Sequence, residues 1–216
     1  MRVASEITTW MPGYKELSVG NHLFMTIQWM LSSFANEGKA FFIAIWAAGF
    51  LLLMKSKKAK VYQILAVVFS VVALLPYAGI SFFSEMGIGY IDIEQRLTEL
   101  PTWQTMNIQN RIAFFWWIAA VLFTLVLLWK VAGHSVFISM VFLGGIASEA
   151  VLHFSPTIYA SGARVYYLTD LMYLFIILWM VMHMDSEKKK NLFIAGVVVL
   201  GVANFLSQYS IMLLKL

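Results

Sequence analysis

Six stretches of this chain are apolar over lengths close to that of a membrane-crossing helix: 38–54, 61–83, 111–130, 133–152, 166–184 and 191–213. A helix needs about 20 mostly apolar residues to cross the roughly 30 Å hydrocarbon core of a bilayer. Inside lipid the backbone has no water to bond to, so each such stretch must satisfy its own hydrogen bonds as a helix. No ten-residue alternating pattern points to a membrane barrel. The expectation is an all-α fold, a polytopic transmembrane helix bundle of about six spans, with 1–216 forming one domain. Composition agrees with it. The chain is 61% hydrophobic and 12% charged, with a mean hydropathy of +0.80, whereas soluble domains are about half apolar and a quarter charged. Pro76 falls inside the second stretch, where a missing backbone donor should kink the helix.

Ahead of the first span, the run from His22 to Phe34 is too short to cross a bilayer by itself, and Asn36, Glu37 and Gly38 interrupt it. Leu23, Ile27, Met30, Leu31 and Phe34 recur at helical spacing. This reads as a helix lying in the membrane interface, which makes 1–37 an outer, interfacial segment. A longer, broken first span is the alternative. A second interfacial helix is expected in the loop 84–110, where Ile91, Ile93, Leu97 and Leu100 alternate with Asp92, Glu94, Arg96 and Glu99 before Pro101.

Orientation follows from the short connections. KSKKAK (55–60) and DSEKKK (185–190) carry seven lysines between them, and Lys130 marks a third turn on the same side. The positive-inside rule makes these turns cytoplasmic. Both chain ends and the segments 84–110 and 153–165 then face outward, in a multi-pass membrane protein.

Several function classes drop out. With no cysteine, disulfides, thiolate metal sites and cysteine nucleophiles are excluded. The isoelectric point of 9.2 comes from lysines in short turns rather than from a basic face on a soluble domain, so nucleic acid is not an expected partner. Glu6, Pro12, Gly13 and Glu16 break up the first 20 residues, which do not read as a secretory signal. There is no phosphate-binding Gly-rich loop and no serine elbow.

The outward segment HFSPTIYASGARVYYLTD (153–170) holds the most chemistry. Glu149 and His153 are four apart and share a helix face, while Arg164 and Asp170 flank the start of the fifth span. Carboxylates this close to hydrocarbon need a partner or a wet cavity. In the bland reading, Glu149 with His153 and Arg164 with Asp170 pin helix ends. In the functional reading they form an anion site. Arg164 offers a planar fork for phosphate or carboxylate, and Tyr159, Tyr166 and Tyr167 offer hydroxyls and stacking faces. A metal lacks a third ligand beside Glu149 and His153. Haem would need His134 and His183, which both stand at span boundaries. No metal and no cofactor is expected. Trp10, Trp29, Trp103, Trp116 and Trp117 fall mostly near outer boundaries, where an aromatic belt accounts for them. Arg111, which opens the third span, reads as a snorkelling residue.

The segment FSPTIYASGARVYYLTD (154–170) resembles one near the C-terminus of a loosely defined family of polytopic bacterial membrane proteins. That family is grouped with glucosyltransferase-like proteins that modify surface polysaccharide, which resemble the GT-C membrane glycosyltransferases. MRVASEITTWMPGYKEL (1–17) is similar to a mid-chain segment of such proteins, with Arg2 at the place of an Arg that there follows a Pro-Gly-Asn turn absent here. The resemblance covers two short motifs and the pattern of spans. It implies the C-terminal half of a longer protein, whose N-terminal half or a partner subunit would carry the acidic catalytic residue. It also implies a polyprenyl-phosphate sugar donor at the outer leaflet, with Arg164 contacting the phosphate, where a fixed cation stabilises the departing lipid phosphate. This chain would then be a transferase-related module, catalytically incomplete alone. A non-enzymatic membrane subunit, lipid-binding or transporter-like, is the alternative.

Overall fold

A computed structural model of the chain describes residues 17–75, 103, 108–153 and 166–213. Among these residues the fold is all-helical: α1 (Val19–Ser33), α2 (Lys39–Leu53), α3 (Lys60–Leu74), α4 (Ile108–Val131), α5 (Val136–His153), α6 (Tyr167–Met182) and α7 (Glu187–Leu213). The region around Pro76, the loop helix expected within 84–110, Tyr159 and Arg164 lie outside the described residues.

α1 starts where Ser18 accepts a hydrogen bond from the Asn21 amide at 3.2 Å and caps the first turn. It does not end before α2. Phe34–Gly38 forms a π-helical turn, and Ser33, Phe34, Gly38 and Lys39 all keep helical dihedrals, so one helical run extends from Val19 to Leu53. The run bends at the π turn, because Phe24 lies 5.5 Å from Phe114 and Phe42 lies 5.6 Å from Trp117, one turn further along α4. Met25, Trp29, Met30 and Leu31 of α1 are buried, and α1 packs on α4 and α5. The π turn absorbs the polar residues between the two apolar stretches without a break, as single π turns inside α-helices do.

α2 is the hub, packed against α3, α4, α6 and α7. Its contacts give the direction of each neighbour. Phe42 meets Trp117 with ring centroids 5.6 Å apart, Trp46 donates to Thr124 at 2.8 Å, and Gly49 faces Leu127, so α2 and α4 run parallel. Gln63 donates to the Leu53 carbonyl at 2.6 Å, and Phe69 lies 5.5 Å from Trp46, so α3 runs back antiparallel. Thr169 donates to the Gly145 carbonyl at 3.2 Å and Phe175 lies 6.3 Å from Phe137, which makes α6 antiparallel to α5. The three short connections, 54–59, 132–135 and 183–186, thus gather at one end of the bundle. At the middle connection α4 ends in two left-handed residues, Gly133 (φ 61°) and His134 (φ 71°), and the His134 amide reaches back to the Trp129 carbonyl at 2.9 Å.

Aromatic rings fill the centre. Phe42 sits among Phe34 (5.2 Å), Trp46 (5.8 Å), Phe142 (6.0 Å) and Tyr173 (5.6 Å). Such pairs add about 0.5–1.5 kcal/mol each beyond the area they bury. Two of the polar groups here satisfy one another: the Trp46 indole N–H goes to Thr124 Oγ1, whose hydroxyl donates to the Ala120 carbonyl at 2.7 Å. Close packing of α2 on α4 depends on Gly49, since a Cβ there would stand 2.7 Å from Leu127 Cδ2.

The aromatic-belt expectation fails for Trp29 and Trp117, which are buried in this core, and Trp116 packs on Phe69 and Trp46. Nearness to a span end sets depth along the helix and leaves open which face a ring takes. Arg111 stacks on Trp103 at 5.0 Å and donates to its carbonyl at 2.9 Å. The outward faces are apolar, with Val68 and Val71 on α3, Phe115 and Leu122 on α4, Leu171 and Leu178 on α6, and Val199 and Phe205 on α7 all exposed. One helical stretch, Arg111–Val131, is by length and composition long and apolar enough to cross a membrane. Lys39–Leu53, Val136–Leu152 and Tyr167–Met182 are shorter apolar helices.

Candidate functional site

At the end of the bundle opposite the short turns, α5, α6 and the π turn enclose a polar crevice lined by Ser33, Phe34, Gly38, Glu149, Tyr166, Thr169, Asp170 and Tyr173. Three of the residues singled out in the sequence, Glu149, Tyr166 and Asp170, are brought together here. His153 ends α5 one turn beyond Glu149, and its side chain lies outside the described set, as do Tyr159 and Arg164. The expected pairings of Glu149 with His153 and of Arg164 with Asp170 therefore fall outside the described contacts.

The two carboxylates sit in opposite helix fields. Asp170 is in the first turn of α6, where the aligned peptide dipoles favour a negative charge. Glu149 is near the C-terminal end of α5, where the dipole opposes one, and it is only 2% exposed. Desolvating a carboxylate at that end of a helix is costly.

Tyr173 was not singled out in the sequence. It is 1% exposed, and its ring is wedged between Phe41 (5.9 Å), Phe42 and Phe142 (5.7 Å). Tyr173 lines the crevice within electrostatic reach of both Glu149 and Asp170, yet its hydroxyl has no hydrogen-bond partner among the described residues. The helical spacing held the signal, because Tyr166, Thr169, Asp170 and Tyr173 stand three and four apart on one face of α6. Gly145 makes room for that face, since a Cβ on it would touch Tyr173 Cε1 at 3.4 Å. Ser33 and Gly38 come from a part of the chain that no local pattern links to α6. The π turn delivers them.

Two carboxylates offer only acceptors, Ser33 and Thr169 donate their hydroxyl protons to the Met30 and Gly145 carbonyls, and the two phenols can donate as well as accept. Such a set suits sugar hydroxyls, a water or a cation. The crevice itself has a volume of about 10 Å³, room for about one water. A larger ligand would lie over its mouth.

The other residues considered in the sequence are engaged locally. His134 packs against Trp129 at 5.1 Å and its carbonyl accepts from that indole, while His183 stacks on Trp179 at 4.1 Å with Nδ1 2.8 Å from the Trp179 carbonyl. Among the described residues no group of three or more His, Asp or Glu could hold a metal ion. At the opposite end Asp185 accepts from Lys55 at 2.6 Å and from Lys189 at 2.9 Å, and Lys189 also donates to the Leu51 carbonyl at 2.8 Å. The lysine hydrogen bonds hold the Asp185 carboxyl down at about 2.

Comparison with protein-family models, with curated proteins and with solved structures finds no match to the chain.

Proposed function

We propose that this chain is a multi-pass protein of the bacterial cytoplasmic membrane that binds the polar headgroup of a lipid-linked sugar at the carboxylate end of its bundle. The lysine turns face the cytoplasm and both termini face outward. A bundle with apolar side chains exposed on α3, α4, α6 and α7 and rings at its centre fits an apolar solvent. The lysine turns, which the structure gathers at one end, fit the positive-inside rule.

The observation that carries the binding role is the convergence of Glu149, Tyr166, Asp170 and Tyr173 at the end where the 153–165 segment leaves α5 and returns to α6. Carboxylates and phenols hold sugar hydroxyls, and Arg164 in that segment supplies the cation for a polyprenyl phosphate. The module does no transfer alone; a partner or further segment brings the acidic catalytic group. The small crevice supports a second reading, a non-enzymatic or transporter-like subunit in which the same groups tie α5 to α6 and the π turn. Binding of a polyprenyl-phosphate hexose to the detergent-purified protein separates the two. On the first reading, Arg164→Ala, Arg164→Lys and Asp170→Asn each weaken binding about tenfold or more with the thermal melt unchanged. Unaltered binding, or a lowered melt with no binding to lose, overturns it.

A further inference from the structure

A groove of about 520 Å³ opens on the side of the bundle and shares no lining residue with the carboxylate crevice. Its floor is α2 and its walls are α3 and α7, with Ala47 and Phe50 beneath, Val67 and Val71 on one side, and Gly196 and Leu200 on the other. Apart from Ser70 and the indole of Trp46, no lining side chain carries a polar atom.

The groove has a length and a polarity. Along α7 it extends from Leu192 to Ala203, about 16 Å at the helical rise. That is about one leaflet of a hydrocarbon core roughly 30 Å thick. A transmembrane partner helix or a second copy of this bundle would need a seat about twice as long. The foot of the groove lies at the lysine end, where Leu51, a lining residue, accepts the Lys189 hydrogen bond. On α3, Lys60 is two turns before Val67 and on the same face. On α7, Lys188 and Lys189 come one turn before Leu192 and Phe193.

The charges at this foot are unbalanced. Asp185 is taken by Lys55 and Lys189, and Glu187 by Lys190 at 2.8 Å. Lys57, Lys58, Lys60 and Lys188 are exposed and form no ion pair or hydrogen bond among the described residues. We infer that groove and lysines together form a site for one anionic phospholipid of the cytoplasmic leaflet. An acyl chain lies in the groove, and the phosphate sits among Lys57, Lys58, Lys60 and Lys188. This rests on the membrane reading and its orientation, and is independent of the sugar-lipid site at the other end.

Two glycines of α7 make a matched test. A Cβ on Gly196 or on Gly201 meets nothing within 4 Å, and only Gly196 lines the groove. Gly196→Leu fills the groove, and Gly201→Leu is the same change outside it. The experiment is native mass spectrometry of detergent-purified protein titrated with dioleoyl-phosphatidylglycerol or dioleoyl-phosphatidylcholine. The anionic lipid should be retained about tenfold better than the neutral one, as lysines near a phosphate give. Replacing Lys57, Lys58, Lys60 and Lys188 with Gln should bring the two lipids level. Gly196→Leu should lower retention of both lipids and Gly201→Leu of neither. Equal retention of both lipids by the unaltered protein overturns the site. So does a dimer that Gly196→Leu converts to monomer with lipid retention unchanged, which would place a second copy in the groove. Release of the protein from membranes by alkaline carbonate overturns the site and the membrane reading together. Retention in the membrane with no lipid preference removes the site alone.

Discussion

At the lysine end Asp185 is 45% exposed and gripped by two lysines. At the other end Glu149 is 2% exposed and shares a crevice with Asp170 and a tyrosine hydroxyl that has no hydrogen-bond partner among the described residues. One end pairs its charges mostly at the surface, Asp185 with Lys55 and Glu187 with Lys190, where such pairs contribute little, and only Lys189 is buried. The other buries Glu149, Thr169 and Tyr173 and leaves Asp170 and Tyr166 half-buried beside them. Selection for folding alone explains the first arrangement. On the proposed reading, a ligand accounts for the second.

The sharpest way to break this contrast is at Tyr173. Tyr173→Ala removes the ring that joins α6 to the aromatic core and should cost about 3–5 kcal/mol, read as a loss of thermal stability in detergent. Tyr173→Phe keeps the ring and removes only a buried hydroxyl, so its melt should stay within about 1 kcal/mol of the parent. A large loss from Tyr173→Phe would mean that the hydroxyl is a structural group and the crevice a strut.

At the lysine end the largest effect belongs to Lys189, the one buried lysine there, which ties Asp185 to the Leu51 carbonyl. Lys189→Ala should cost about 1–3 kcal/mol, while Lys58→Gln, at an exposed position, should stay within about 0.5 kcal/mol. Equal effects would blur the distinction between a buried tie and a solvated turn.

A smaller effect concerns pH. Asp185, held at about 2 against an ordinary 3.8, is ionised in the folded protein at pH values where the unfolded chain would take up a proton. Its pairing with Lys55 and Lys189 therefore stabilises the fold fully above pH 3.8 and is lost as the pH falls toward 2. The melting temperature of the parent should fall through that window more than that of Asp185→Asn. Parallel curves would remove Asp185 from the account.

Much of the framework is legible in the sequence because helices in an apolar protein are written as length and hydropathy. The stretches 111–130 and 133–152 correspond to Ile108–Val131 and Val136–His153, and the lysine turns that the charge pattern puts on one side meet where Lys55 reaches Asp185. The π turn is less legible, because Asn36, Glu37 and Gly38 look like an interruption and only the helix on either side makes them a continuation. Of the crevice, Glu149, Tyr166 and Asp170 stand out as polar residues in apolar surroundings. Tyr173 and Thr169 do not, since an aromatic or a threonine inside a span is ordinarily packing. Trp29 and Trp117 misled for the same reason: tryptophan serves both interface and core, and residue type does not say which face of the helix it takes.

The central claim is that these ends lie on opposite sides of a membrane, with the lysines inside. The chain has no cysteine, so single substitutions give an unambiguous readout. Lys58→Cys and Lys188→Cys mark the lysine end, and Val19→Cys and Ile108→Cys mark exposed positions at α1 and α4 starts near the other end. A membrane-impermeant maleimide applied to cells with the inner membrane intact should label positions 19 and 108 and reach 58 and 188 only after permeabilisation. Labelling of 58 and 188 in intact cells, with 19 and 108 protected, would contradict the orientation and place the carboxylate crevice in the cytoplasm.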